Sequence, residues 1–200
     1  LDREVNAVSA EVVNPMGPYT VQDWLDEDPP PDGSKRELIL GKIYMSPAAS
    51  GDHNVIVPEL YALFKSALLL SGRRGLRPVV TVNARLSTAR RTAVIPDVAI
   101  INRSSSAVAF TPDEFELVAE VWSPGNSNAE RVRKFDAYAQ AGIRYFWTVE
   151  QDGPVVDAFE LRAGRYKHAA TLRAGTVGTI TAAPVPVKFD PAELLTDKLF

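Results

Sequence analysis

Two apolar runs in this chain each enclose an acid, and nothing else in the sequence restricts the fold as strongly. In Val94-Ile95-Pro96-Asp97-Val98-Ala99-Ile100-Ile101 the intruder is Asp97, and in Phe115-Glu116-Leu117-Val118-Ala119-Glu120-Val121-Trp122 it is Glu120. Each run has the length and β-branched content of a strand. A carboxylate inside a sheet is costly unless a positive group meets it. The turn Ser123-Pro124-Gly125-Asn126 and a charged helix bearing Arg131, Arg133 and Lys134 follow directly. Two such acids before a lysine-bearing helix suggest a metal ion as the compensating charge.

Composition narrows the setting. At 200 residues the chain suffices for one domain with a sizeable core; residues 1–18 read as a loose lead-in and 19–200 as the domain. The absence of cysteine removes disulfides, thiolate zinc sites and thiol nucleophiles. His53 and His168 lie too far apart for an HxxxH-type metal pattern. No apolar run approaches the roughly 18 to 20 residues of a membrane span, and the first residues lack the order of a signal peptide. A cytoplasmic protein with no membrane partner is expected. The net charge of −3 argues against nucleic-acid binding through general basicity. Yet between Glu59 and Asp97 there is no acid, while Lys65, Arg73, Arg74, Arg77, Arg85, Arg90 and Arg91 all fall there. That stretch is either a solvated basic face or a patch for a polyanion.

The remaining elements frame the two runs. Thr20 caps a short helix whose Val21, Trp24 and Leu25 share a face, and Pro29, Pro30 and Pro31 end it. Glu37 to Met45 reads as two strands about a turn at Gly41. Ile56, Leu60, Leu63, Phe64 and Ala67 give a helical stripe from His53 to Leu70, which either begins near Pro58 or kinks there. One strand is expected over 77–86. Ser127 and Glu130 form a capping box for the charged helix, with Val132, Phe135, Tyr138 and Ala139 inward, Lys134 outward and Gly142 as its stop. An apolar strand over 143–149 follows. Strands over 155–161, 166–172 and 176–182 make a C-terminal β-meander, closed by a short helix over 191–200. The fold class is α/β: a mixed central sheet flanked by helices.

Taken in order, these pieces carry a resemblance. Val94-Ile-Pro-Asp97-Val, Leu-Val-Ala-Glu120-Val-Trp-Ser-Pro124 and Lys134-Phe-Asp-Ala-Tyr138-Ala-Gln-Ala-Gly142-Ile-Arg-Tyr145-Phe-Trp147 resemble the bacterial Uma endonuclease family, within the PD-(D/E)XK, restriction endonuclease-like superfamily. Arg36-Glu37-Leu-Ile-Leu-Gly41-Lys-Ile-Tyr-Met-Ser-Pro47 and His53 are similar to that family's opening motif. The resemblance implies a DNA-cleaving hydrolase of the restriction endonuclease-like fold, with Asp97 and Glu120 as ligands of Mg²⁺ or Mn²⁺. The chemistry is consistent: a hard divalent cation wants carboxylate oxygens, and it both neutralises phosphate charge and activates water.

One departure stands out. The superfamily's lysine lies two residues after the second acid, where this chain has Trp122; Lys134 on the following helix is the candidate replacement, serving the water or the transition state. Leu40 stands where many relatives carry an acid, read as a lost turn residue rather than a lost ligand. Glu37 is an auxiliary acid or an exposed glutamate. His53 is either a residue that assists at the phosphate or, the better reading, a solvent-facing residue at a helix entry; Glu130 is read as a cap, and Trp122, Tyr138, Phe146 and Trp147 as core. The bland alternatives are a strand-end Asp97 held by backbone donors, an edge-strand Glu120 facing solvent and a surface Lys134. With them stands a second functional reading: a nuclease-like fold that no longer cuts and serves as a nucleic-acid-binding or protein-interaction module. A homodimer would be a natural way to cut both strands of a duplex.

Overall fold

The structure, a computed structural model, describes residues 16–103 and 108–195. Most of the expected lead-in (residues 1–15) and the end of the expected closing helix (196–200) lie outside these. In chain order the elements are α1 (Val21–Asp26), β1 (Lys35–Ile39), β2 (Lys42–Ser46), α2 (Gly51–Leu70), β3 (Arg77–Val80), β4 (Ala84–Ser87), β5 (Thr92–Val94) and β6 (Val98–Ile101). They continue with β7 (Phe115–Trp122), α3 (Asn128–Ala141), β8 (Tyr145–Glu150), β9 (Val155–Arg162), β10 (Arg165–Arg173), β11 (Gly178–Ile180) and β12 (Val187–Phe189). A 3-10 turn over Pro191–Leu194 stands where the closing helix is expected.

The main sheet has the order β10-β9-β8-β7-β6-β3. Its β7–β8 pair is parallel, with α3 as the crossover, and its other pairs are antiparallel. A smaller sheet, β2-β1-β5-β4, stands beside it, and β11 pairs with β12. Two expected strands are therefore divided. The stretch over 77–86 is β3 in the main sheet and β4 in the small one, with Thr81 between them at φ 48°. The Asp97 run likewise splits into β5 and β6, because Pro96 cannot donate to a ladder. The meander also divides: β9 and β10 extend the main sheet, whereas β11 leaves it.

Local chemistry explains the elements that bear on the site. Thr20 and Asp23 cap α1 reciprocally, and the Trp24 indole donates to the Arg36 carbonyl at 2.7 Å, tying α1 to β1. The β1–β2 turn uses Leu40 and Gly41 at φ 52° and 72°. A Cβ on Gly41 would stand 2.3 Å from the Gly17 carbonyl oxygen, so a larger residue cannot occupy that turn without moving the chain. Helix α2 starts at the Ser50 cap, which accepts from the His53 N–H, and runs through Pro58, placing His53 in its first turn.

Two cores enclose the main sheet. On one face Leu117, Ala119 and Val121 of β7 pack with Ile56, Leu60 and Phe64 of α2 and with Trp147. On the other, Val118 and Trp122 pack with Tyr138, Ile143 and Phe146 under α3. Each large side chain so buried contributes about 1.5–3 kcal/mol. Strand alternation puts Glu120 on the α3 face. Because β7 lies between β6 and β8, Glu120 is 1% exposed, and the solvent-facing edge reading is excluded. The α3 stripe also differs from expectation: Val132 is exposed, while Lys134, Ala137 and Tyr138 are buried. Ser127 caps the helix as expected, but the Glu130 carboxylate turns to the Ser46 hydroxyl and the Asn126 amide.

Candidate active site

Asp97 from the bend before β6, Glu120 from β7 and Lys134 from α3 line one cleft of about 250 Å³. Asp97 occupies the bend where the chain leaves the small sheet for β6 and is 3% exposed. Its Oδ2 accepts from the Val121 N–H at 2.7 Å, which locks it against β7. Its Oδ1 takes the Lys35 ammonium in a short contact and stands 3.0 Å from His53 Nε2. The backbone-held aspartate of the bland reading is thus half right: one oxygen is held by backbone, while the other meets a lysine and a histidine.

Glu120 is met from α3. Lys134 Nζ lies 3.0 Å from Glu120 Oε2, and the Tyr138 hydroxyl donates to Oε1 at 2.5 Å. Lys134 and Tyr138 are four residues apart and share a helix face, so one helix supplies both partners. A lysine facing solvent, the default for a charged helix, is excluded, since its side chain is 4% exposed. Lys134 reaches Glu37 Oε1 as well, also at 3.0 Å, and that oxygen accepts from the Ile95 N–H at 2.8 Å. Glu37 is 2% exposed and lies behind the lysine rather than among the residues lining the cleft. It is neither an exposed glutamate nor a direct wall of the site: it positions Lys134.

The groups are unequal in number: three carboxyl groups, Glu37, Asp97 and Glu120, face two ammonium groups, Lys35 and Lys134. Burial drives the Glu120 carboxyl upward; Lys134 pulls against it, but Asp97 and Glu37 add to the rise, and it stands at about 8. Burial also works to raise Asp97, yet Lys35, His53 and Lys134 outweigh it and hold that carboxyl well below the usual carboxylate range. For Lys134 burial works downward and is outweighed by Glu120, Glu37 and Asp97, which hold the ammonium above the usual lysine value. Burial, then the Glu120 charge, keeps the Tyr138 phenol neutral.

A divalent cation fits this donor set. Asp97 and Glu120 line one cleft, both offer hard oxygens, and a cation there would favour the charged form of Glu120. Among the described residues no group of three or more His, Asp or Glu stands close enough to hold a metal by itself. A two-carboxylate site filled out by water and phosphate oxygens is the arrangement Mg²⁺ commonly takes.

Lys35 and Tyr138 join the site although the sequence reading does not place them there, and His53, for which solvent is the preferred reading over assistance at a phosphate, joins it as well. Lys35 is visible in hindsight: strand alternation puts it on the same side of β1 as Glu37. His53, expected in solvent, has a side chain only 12% exposed, and only the fold reveals this. Tyr138 is core as expected, but its hydroxyl is a site group.

A family described as "Uma2: Putative restriction endonuclease" matches residues 22–186. The chain belongs to the Uma2 family. Among solved structures, a "putative nuclease belonging to DUF820" from Anabaena variabilis superposes with a TM-score of 0.66 at 18% identity, over 89% of this chain and 98% of that one. No curated protein matches. This Uma2 chain therefore has the mixed sheet of a restriction endonuclease-like nuclease, in a family of nucleic-acid hydrolases that generally use divalent metals. Among the described residues of this Uma2 protein no helix is long and apolar enough to cross a membrane.

Proposed function

We propose that this Uma2 protein is a metal-dependent endonuclease that hydrolyses phosphodiester bonds in DNA. The carrying observation is the pair of buried carboxylates, Asp97 and Glu120, which share one cleft with Lys35 and Lys134. Asp97 and Glu120 would hold Mg²⁺ or Mn²⁺. When bound, the ion would neutralise phosphate charge and make a water nucleophilic. Lys134, fixed between Glu37 and Glu120, is the replacement for the absent strand lysine and presents a fixed positive charge where the attacking water or the developing phosphate charge would lie. Tyr138 fixes the orientation of Glu120, and the Val121 N–H fixes that of Asp97. Lys35 at the cleft mouth, 20% exposed, is placed to meet a phosphate oxygen.

The test is a cleavage screen over linear, supercoiled, branched and single-stranded DNA, with RNA alongside, in Mg²⁺ and in Mn²⁺. Wild type should cut DNA, and Asp97→Ala and Glu120→Ala should each lose about a hundred- to a thousandfold in rate, the scale of removing one preorganised electrostatic group, with folding checked by circular dichroism. Undiminished cutting by either variant sinks the assignment. One observation favours the second reading, a binding module that no longer cuts: each carboxylate already has a lysine partner. That reading gains if wild type binds DNA and cuts none with either metal.

A further inference from the structure

A second, larger cavity opens beside the cleft, and its chemistry differs. It measures about 830 Å³ and lies between the α1–β1 connection, the first turns of α2 and the end of β3, within the roughly 300–1,000 Å³ range of small-molecule sites. Gly33, Lys35, Ala49 and His53 line both spaces, so the two adjoin across a shared wall at the Lys35–Asp97–His53 contact. Leu25, Val57, Pro58, Val80 and Ile95 supply apolar walls. Ser34, Asn54, Thr81 and Asn83 add polar side chains to the same walls, so the cavity can meet a ligand that has both an apolar face and polar edges.

The charge around the cavity decides which ligand. Asp26, Glu27 and Asp28 line it, and only Glu27 among them is paired with a cation, Arg36 at 2.5 Å. A second phosphate would meet that acidic rim unfavourably, whereas a neutral planar group with N–H donors would meet acceptors there. A nucleobase has that character, and it would be joined by its own sugar to a phosphate seated at Lys35.

We propose that this cavity receives an unpaired nucleobase next to the scissile phosphate, so that the preferred substrate is DNA with a single-stranded or distorted nucleotide at the cut. This rests on the nuclease reading above and extends it to substrate class. Bases stacked in an intact duplex would first have to be turned out, at an energetic cost that an already unpaired base escapes.

The experiment compares a linear duplex with the same duplex carrying one unpaired 2-aminopurine, using wild type, Val80→Trp and Asn54→Trp. Both substitutions add bulk at exposed positions on the cavity wall and outside the metal-site residues; thermal melting confirms folding, and the second serves if the first fails to fold. Cleavage is followed with Mg²⁺, and 2-aminopurine fluorescence is read separately in EDTA. Wild type should cut the unpaired substrate about tenfold or more faster and change its fluorescence, while a folded variant should bring the two rates together and lose the fluorescence change. Equal cutting of both substrates by wild type overturns the proposal and leaves the nuclease reading intact, as does a preference retained in every folded variant. A fluorescence change that the variants abolish, without any cleavage, supports the base site and overturns the nuclease reading. Neither signal overturns both.

Discussion

The Glu120→Gln substitution gives a sharp test of the electrostatics, because glutamine keeps the shape and one acceptor oxygen for Lys134, turns its amide NH2 to the Tyr138 hydroxyl oxygen, and cannot titrate. In the folded protein the Glu120 carboxyl stands at about 8 against an ordinary 4.5. A group raised on folding contributes stability that is fully present below its unfolded value and is lost as pH rises through its folded value. The window here is therefore pH 4.5 to about 8. Taken at about 1.4 kcal/mol for each pH unit, that distance sets a ceiling of about 5 kcal/mol, and relaxation of the buried cluster makes about 2–3 kcal/mol a fair expectation. The assay is urea unfolding of wild type and Glu120→Gln at pH 5, 6, 7 and 8 in EDTA. Wild type should lose stability relative to the variant as pH rises. Parallel curves, or a wild type that gains on the variant, would refute the reasoning: Glu120 would then be ionised against Lys134 throughout. Mg²⁺ should flatten the wild-type curve, since a cation held by Glu120 favours its charged form.

Two further outcomes follow from contacts already described. Tyr138→Phe removes the 2.5 Å bond to Glu120 Oε1 and should cost about 1 kcal/mol in urea unfolding; cleavage should fall as well, and intact cleavage would show that the phenol does not position Glu120. Thr81→Gly should stabilise by about 1 kcal/mol in thermal melting, because a β-branched residue at φ 48° carries left-handed strain that glycine does not; a destabilised variant would show that the threonine side chain outweighs the strain.

Much of this arrangement was legible before any coordinates. The strand enclosing Glu120, the Ser127 cap, the Gly142 stop and the Glu37–Met45 hairpin all follow from local pattern, and the structure retains each of them, whereas Asp97 falls in a bend between two strands rather than within one. Less legible were features that depend on tertiary context. Pro96 marks a break, but only the sheet order shows that the chain changes sheets there. Lys134 sits on a helix whose periodicity favours Val132 inward; two buried carboxylates outweigh that preference, because an unpaired charge costs more than an exposed valine. Glu37 and His53 come from the N-terminal third of the chain, and no local pattern announces that Glu37 meets Ile95, 58 residues on, or that His53 meets Asp97.

The two halves of this charge cluster also differ in what it takes to assemble them. Lys134 and Glu120 are 14 residues apart, joined by a turn and a helix, whereas Lys35 meets Asp97 across 62 residues. Loop-closure entropy grows with separation, so the first pairing is the cheaper to form and the second must recruit the whole β1–β2 and α2 segment. Lys35 and His53 thus reach the cluster only when the N-terminal segment is in place. Truncation or loosening of that segment would leave Asp97 without its cation while Glu120 kept its own.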